Sequence, residues 1–365
     1  MTRRNECIMF VLPVSGGSGG AHSVFQEAAA MADLGVRTAI ATNKANEPSL
    51  RDAYGEFPDL LRTLVAFDGP SELAEAVVRF DVTILVATTN QSVKTVLDAK
   101  KSISDDRVPK VAYYIQDYEP LFYECQSHEW HVARDSYGAD PDVIHFAKTQ
   151  WLQDVVMNNH GVRVMKVDPS VDHSVFYPDL SRHIGGAHEK VTIAGMLRPS
   201  TPRRAPRRTA RILTKIANEL GATARCISFG CGESDLVAHG IMLPNVRNLG
   251  VLSRQGIGRL MRSVDLFLDL SDYQAFGRTA IEGMACGAIP VVPAHGGSYE
   301  FAIDNVNAFV VDTRQEEGIF RTVETFLEMS LVERDAMRLA AIERSFRYSP
   351  HRAALSELRV LLANE

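Results

Sequence analysis

The stretch that decides the fold runs from residue 266 to residue 297 and reads LFLDLSDYQAFGRTAIEGMACGAIPVVPAHGG. Its pattern predicts an apolar strand at 266–270, a polar loop, a helix that opens near 277–279, and a second apolar strand at 289–292. The N-terminus of such a helix faces the loop. Because it offers unpaired backbone N–H groups and a positive dipole, we expect it to bind a phosphate or sugar hydroxyls.

The composition is that of an ordinary globular chain. Its 365 residues are 45% hydrophobic and 23% charged, enough for two domains with separate cores. The net charge of -6 argues against general nucleic-acid binding. The 5 cysteines form no CxxC pair, which indicates reduced thiols. No run reaches the roughly 20 apolar residues of a membrane span, so we expect a cytoplasmic protein and leave peripheral membrane contact open.

Short apolar runs alternate with helical patterns along the chain, which predicts α/β domains built on doubly wound parallel sheets. A stretch of prolines, glycines and polar residues without any period indicates a linker between two such domains. The predicted parts are a first Rossmann-like domain at 1–170, the linker at 171–190, a second Rossmann-like domain at 191–345, and a closing helix at 346–365 that crosses back to the first domain.

The stretch 266–297 resembles the donor-sugar motif of the retaining, glycogen-synthase-like glycosyltransferases, which form glycosyltransferase group 1. That family has Glu-Gly-Phe-Gly, four residues, and then Glu before Met-Ala-Cys-Gly. Here the segment 274–277 reads QAFG, and Glu282 precedes the run GMACG with the same spacing. The resemblance implies the GT-B fold, in which two Rossmann-like domains face a cleft. It also implies that the second domain holds a nucleotide sugar and the first holds the acceptor.

The resemblance further implies the reaction. A hexosyl or deoxyhexosyl unit would pass from a nucleoside-diphosphate sugar to a glycan, lipid-linked or small-molecule acceptor, with retention, without a cofactor and without an obligatory metal. The motif departs from the family at Gln274, where the family has Glu. A glutamine side chain can hydrogen-bond sugar hydroxyls, but it cannot carry the negative charge that would stabilise a positive glycosyl centre.

An arginine cluster follows the first predicted strand of the second domain. Arg198, Arg203 and Arg204 lie at a strand-to-helix turn, where guanidinium groups pair well with phosphate oxygens. The resemblance assigns the diphosphate to Arg198 and to Arg203 or Arg204, and it makes Arg198 and Arg204 the residues that stabilise the leaving group. The other donor contacts that it implies are Gly230 and Val251 at the nucleobase, Glu282 at the ribose, and Gln274, Phe276, Gly277, Arg278 and Thr279 at the sugar and diphosphate.

Two segments of the first domain are candidates for the site. The resemblance places the Gly-rich loop beside the donor phosphates and the acceptor, and the segment 116–123 on the acceptor side. Gly16, Gly17 and Gly19 follow the first predicted strand and either cradle a phosphate or form a tight strand-to-helix turn. The segment 116–123, QDYEPLFY, combines carboxylates with aromatic rings and resembles a string in bacterial rhamnosyltransferases, which suggests a deoxysugar donor. We expect Asp117 to position or deprotonate the acceptor hydroxyl, unless it merely caps a helix.

Other functions stay open at this point. The Gly-rich loop suggests an NAD(P)-dependent oxidoreductase, but the second predicted strand ends without the acid that a dinucleotide fingerprint requires. A nucleotide-sugar epimerase or hydrolase would use the same fold, and Gln274 is compatible with a binding protein that does no chemistry. The string HEWH at 128–131 spaces two histidines three residues apart without a third ligand, which predicts a solvated face rather than a metal site.

Overall fold

The structure, a computed structural model, describes residues 6–104, 107–183 and 190–363. The chain forms two compact units, of which the first comprises Met1–Ser170 with Ser349–Glu365 and the second Val171–Tyr348. The beginning of the predicted linker is part of the second unit, because Val171 and Phe176 are buried in its core. Residues 184–189 of that linker lie outside the described residues.

The first unit is built on a parallel sheet. In its described part, seven strands pair in the order β3-β2-β1-β4-β5-β6-β7. They are Cys7–Val11 (β1), Arg37–Asn43 (β2), Val65–Phe67 (β3), Ile84–Ala87 (β4), Lys110–Ile115 (β5), Ile144–Ala147 (β6) and Met165–Lys166 (β7). The helices between them are Gly19–Asp33 (α1), Glu47–Ala53 (α2), Pro58–Arg62 (α3), Pro70–Arg79 (α4), Asn90–Lys101 (α5), His128–Asp135 (α6) and Gln150–His160 (α7).

The second unit repeats this plan. Its described strands pair in parallel in the order β10-β9-β8-β11-β12-β13. They are Val191–Met196 (β8), Ala224–Phe229 (β9), Arg247–Asn248 (β10), Leu266–Leu268 (β11), Ile289–Pro293 (β12) and Phe309–Val311 (β13). The helices are Leu180–His183 (α8), Pro206–Glu219 (α9), Glu233–Ala238 (α10), Arg254–Met261 (α11), Arg278–Cys286 (α12), Glu316–Glu328 (α13) and Leu331–Ser345 (α14).

The last helix, Pro350–Leu361 (α15), belongs to the first unit. The hydroxyl of Ser349 caps it by accepting a hydrogen bond from the backbone N–H of Arg352. Its apolar side chains Ala354 and Leu358 join the core cluster that contains Phe25 of α1. The chain therefore returns to the first unit at its end.

Both sheets confirm the predicted doubly wound architecture. Strand order reverses between β1 and β4 in the first unit and between β8 and β11 in the second. Ligands of such folds bind where the carboxyl ends of the strands meet this switch point. The segments after these four strands are therefore the places to look for function.

Several short elements do not follow from the sequence pattern. Helices α2 and α3 bury one residue each, Leu50 and Leu60, so they show no apolar period. Strands β7 and β13 have 2 and 3 residues, too few to display alternation. Among the described residues, no helix combines the length and the apolar character that a bilayer crossing requires.

Candidate functional site

The switch point of the second unit brings predicted donor residues together. Arg198 and Arg204 follow β8, Gln274 follows β11, and all three line one small pocket together with Asp269 and Ser271. This pocket lies at the carboxyl ends of two neighbouring strands, which pair in register from Leu266 opposite Ile193 onward. The sheet topology thus places cationic, anionic and amide groups at the position where a doubly wound fold binds its ligand.

The arginine loop is attached to the loop that carries Gln274. The backbone N–H of Asp272 donates to the carbonyl of Arg203 at 2.9 Å, and the Arg203 guanidinium lies 5.5 Å from the Tyr273 ring centroid. Desolvation of the guanidinium and the positive charge of Arg203 lower the pKa of Arg198, although its side chain as a whole stays exposed at the rim. Two cations held near each other favour an anion between them, as a diphosphate site requires.

Gln274 is buried and firmly held. Its side-chain Nε2 donates to Asp269 Oδ2 at 2.5 Å and to Ser271 Oγ at 3.1 Å. Its backbone carbonyl accepts from the N–H of Gly297 at 2.6 Å. Sequence reasoning missed Asp269, although a carboxylate inside the apolar run 266–270 was the available signal.

Helix α12 begins directly after Gly277, which has φ +99 and can adopt it because it lacks a Cβ. Arg278 opens the helix, Thr279 follows in its first turn, and Arg278 Nε donates to Glu282 Oε1 at 2.8 Å. Glu282 is 7% exposed, so it is a buried, paired carboxylate rather than an exposed helical glutamate.

Phe276 and the nucleobase loops frame this region. The Phe276 ring packs edge-on against Phe301 with 5.4 Å between centroids, which anchors the loop to the core. The N–H of Gly230 donates to the carbonyl of Gly250 at 2.8 Å, and a Cβ added at Gly230 would lie 2.7 Å from the Leu197 carbonyl oxygen. Gly230, and with it the loop that carries the exposed Val251, therefore lies beside the Arg198 segment.

The Gly-rich loop of the first unit is held by the region of α2. The N–H of Gly16 donates to Ser49 Oγ, and the N–H of Gly17 donates to the Tyr54 hydroxyl, each at 3.1 Å. Ser18 caps α1, which starts at Gly19. These bonds favour the tight-turn interpretation for Gly16 and Gly17, since their N–H groups already have protein acceptors.

Asp117 and Glu119 follow β5 in the first unit. Asp117 is half-buried and accepts from the Tyr118 N–H at 2.9 Å, and the short 3-10 helix Glu119–Phe122 begins after Tyr118, so Asp117 does not cap it. Glu119 is buried and accepts from the N–H of Asn90, the first residue of α5, at 2.9 Å. Burial raises the pKa of Glu119 to about 8, and the negative charge of Asp117 adds to this.

The remaining charged motifs have partners or are exposed. Arg208 of α9 forms an ion pair with Asp272 at 2.8 Å. His128 and His131 of the HEWH string are exposed on α6. In the described part of the chain, no group of three or more His, Cys, Asp or Glu side chains could hold a metal ion.

A larger cavity lies at the amino ends of the strands of the first sheet. Its volume is about 510 Å³, and its lining includes Cys7 and Arg37, the first residues of β1 and β2. Because doubly wound sheets bind ligands at the carboxyl ends of their strands, this cavity is not part of the candidate site.

Solved structures with this architecture exist. HepE from Anabaena, in complex with UDP and glucose, matches with a TM-score of 0.76 at 16% identity, over 98% of this chain and 99% of HepE. Sucrose-phosphate synthase from Thermosynechococcus elongatus matches with a TM-score of 0.77 at 13% identity, over 97% and 98% of the two chains. At these identities the likeness establishes the fold alone, and that fold is GT-B, as predicted.

Residues 234–344 match the family described as glycosyl transferases group 1. This segment of the chain is thus similar to the group 1 glycosyltransferases. The matched segment runs from α10 to α14 and includes Gln274, the N-terminus of α12 and Glu282. The resemblance that the motif spacing indicated is thereby confirmed.

Two curated relatives of this chain are much longer proteins. The O-antigen biosynthesis protein RfbC of Myxococcus xanthus is 28% identical over 211 residues, which are 58% of this chain and 16% of RfbC. Sucrose synthase 5 of Arabidopsis thaliana is 33% identical over 82 residues, which are 21% of this chain and 10% of that protein. The chain therefore spans a small part of the length of the relatives it matches.

Proposed function

We propose that this chain transfers a hexosyl or deoxyhexosyl unit from a nucleoside-diphosphate sugar to a hydroxyl of a glycan, lipid-linked or small-molecule acceptor, with retention of configuration. One observation carries the proposal: Arg198, Arg204 and Gln274, from two separate segments, line one pocket at the switch point of the second sheet. Guanidinium groups can pair with the diphosphate oxygens, and a buried amide can hydrogen-bond the sugar hydroxyls.

The donor would lie in the second unit. Arg198 and Arg204 would bind the diphosphate and stabilise the charge that grows on it as the glycosidic bond breaks, with the N-terminus of α12 at Arg278 and Thr279 adding its dipole. Glu282 would accept from the ribose hydroxyls. HepE, a solved protein of the same fold, was crystallised with UDP and with UDP-glucose, which supports a nucleotide sugar as donor.

The acceptor side would lie in the first unit, with Asp117 positioning or deprotonating the attacking hydroxyl. RfbC, the relative from Myxococcus xanthus, is described as an O-antigen biosynthesis protein, which supports a polysaccharide or its precursor as acceptor. The QDYEP string supports a deoxysugar such as rhamnose. We further propose that arginines rather than a metal ion balance the diphosphate charge, so EDTA should leave turnover unchanged.

The donor base is tested by thermal unfolding with UDP, dTDP, GDP, ADP and NAD(P) in turn. A ligand present at about 100 times its Kd stabilises the folded state by roughly 2.7 kcal/mol, a clear shift in Tm. Stabilisation by one nucleoside diphosphate supports the proposal and selects the base. Stabilisation by NAD(P) alone would return the chain to the oxidoreductase class.

The phosphate site is tested by Arg198→Ala, with Arg207→Ala as its matched control. Arg207 is an exposed arginine on α9 that donates to the carbonyl of His239. Sugar transfer should fall by about a hundredfold or more in Arg198→Ala because a charged transition-state contact is lost, while Tm stays close to the wild type. Equal activity of the two variants would remove Arg198 from the diphosphate site.

The same assay separates the rival functions. Conversion of the nucleotide sugar without an acceptor would indicate an epimerase or hydrolase. Tight nucleotide-sugar binding without any turnover would indicate a binding protein, which the amide of Gln274 in place of a carboxylate favours.

A further inference from the structure

We propose that Asp269 is a positioning residue that fixes the amide of Gln274 in one orientation, so that the two side chains work as a pair. Asp269 supplies the negative charge and Gln274 the acceptor oxygen, two properties that a single glutamate would combine. The inference rests on the proposed donor site for its effect on turnover. The pairing itself rests on geometry.

Asp269 is placed by the sheet. It follows β11 directly, and its N–H donates to the carbonyl of Val291 in β12 at 2.9 Å, so its backbone continues the strand pairing. Its side chain is buried, with 8% of the residue exposed. Ser271 donates to Oδ1 through Oγ at 2.6 Å and through its N–H at 3.3 Å, and Gln274 donates to Oδ2 at 2.5 Å. The carboxylate is therefore surrounded by donors.

The hydrogen bonds around Asp269 determine which end of the Gln274 amide faces its carboxylate. An ionised carboxylate only accepts hydrogen bonds, so the amide nitrogen must point at it. Both side-chain hydrogen bonds that the structure describes for Gln274 are donated by Nε2, one to Asp269 and one to Ser271. The amide oxygen is thereby kept as the acceptor for a sugar hydroxyl, because the other orientation would set oxygen against oxygen.

The pair shares its pocket with the predicted diphosphate residues. Asp269 and Gln274 line the same pocket as Arg198 and Arg204, so fixed charges of both signs surround it. A glycosyl centre becomes positive as the bond to the diphosphate breaks, and a buried carboxylate behind the amide stabilises that charge. This arrangement gives a physical reason why Gln274 need not abolish chemistry here.

The first test is a double-mutant cycle on thermal stability and needs no ligand. Gln274→Glu places two carboxylates in contact and should lower Tm, whereas the exchanged pair Asp269→Asn with Gln274→Glu restores one carboxylate and one amide and should recover most of the loss. Additive effects in the cycle would overturn the pairing. The control is Asp272→Asn with Gln274→Glu, which should be additive because Asp272 pairs with Arg208.

The second test distinguishes a positioning role of Asp269 from a role in folding alone. Affinities for UDP-glucose and dTDP-rhamnose are compared with those for UDP and dTDP alone, and kcat is measured with the donor that turns over. Asp269→Asn should weaken the contribution of the sugar to affinity and lower kcat about tenfold, with the affinity for the diphosphate unchanged, and the exchanged pair should recover both. Equal losses for sugar and diphosphate, or no recovery, would make Asp269 structural.

Failure of the proposed function looks different. If the wild type binds neither nucleotide sugar more tightly than its diphosphate and transfers nothing, the donor-site assignment falls even when the stability cycle shows coupling. In that case the positioning role falls with it, and a structural pair remains.

Discussion

Arg278 and Glu282 form an ion pair across the first turn of α12, with Arg278 Nε 2.8 Å from Glu282 Oε1. The pair lies at the helix terminus that follows Gly277, so the carboxylate proposed for the ribose is held in place before any ligand arrives. A residue whose rotamer is already fixed loses less entropy on binding. Nucleotide affinity should therefore depend strongly on Glu282.

We expect Glu282→Ala to weaken binding of the selected nucleoside diphosphate by about ten- to a hundredfold, since hydrogen bonds to a charged group contribute about 1.5 to 3 kcal/mol. Isothermal titration calorimetry measures the affinity of the wild type and the variant for the nucleoside diphosphate. Glu343→Ala is the control, because Glu343 is an exposed glutamate on α14. Unchanged affinity in Glu282→Ala would place the ribose elsewhere.

Gly296 should tolerate no side chain. It has φ +107, and an added Cβ would lie 2.2 Å from the Gln274 carbonyl oxygen. Gly35 also has a positive φ, +85, but a Cβ there meets nothing within 4 Å. Gly35→Ala should cost about 1 to 2 kcal/mol for the left-handed backbone, and Gly296→Ala should cost clearly more because backbone must move. Urea unfolding measures the free energy of unfolding of both variants. Equal losses of stability would mean that the loop containing Gln274 moves aside without further cost.

Glu119 should make stability depend on pH. Burial raises its pKa in the folded state from 4.5 to about 8, so the folded protein binds more protons than the unfolded chain between these values. The contribution of this group is fully present below about 4.5, and up to about 1.4 kcal/mol is lost per pH unit as the pH rises toward 8. Glu119→Gln should flatten this part of the Tm profile, whereas exposed Glu129→Gln should not. A profile unchanged by Glu119→Gln would show that the carboxyl ionises freely.

Glu357 of α15 should also make the stability of the protein fall as the pH rises. It is fully buried near Glu27 and Lys148, which form an ion pair at 2.8 Å with each other. Desolvation and the charge of Glu27 raise the pKa of Glu357 well above its usual range, while Lys148 opposes them. The stability it contributes is therefore present at low pH and lost as the pH rises. Glu357→Gln should be more stable than the wild type at pH 8 and not at pH 4, by urea unfolding; the reverse order would contradict the protonated state.

Much of the fold follows from local pattern. The strand at 289–292, the helix behind Gly277 and the cap at Ser349 each depend on neighbours within a few residues, so period and capping signals reveal them. The resemblance of the 274–287 motif to the group 1 family could be recognised for the same reason, since the candidate donor loop and its helix are continuous in sequence.

The contacts that shape the candidate site depend on chain folding instead. Gln274 meets Asp269 only because the polypeptide turns back after β11, and Gly296 must be glycine because a distant backbone segment passes beside it. Arg208 finds Asp272 across 64 residues. The spacing of residues in the sequence does not reveal such long-range contacts, and the only sequence signal for Asp269 was a carboxylate inside the apolar run 266–270.

The return of α15 to the first unit has a consequence for synthesis on the ribosome. Residues of the second unit, Val171–Tyr348, are all made before Ser349 emerges, so that unit can fold while the first still lacks the helix that covers Phe25. The apolar face of α1 that packs against α15 therefore stays uncovered, and accessible to chaperones, until Pro350–Leu361 has left the ribosome and folded.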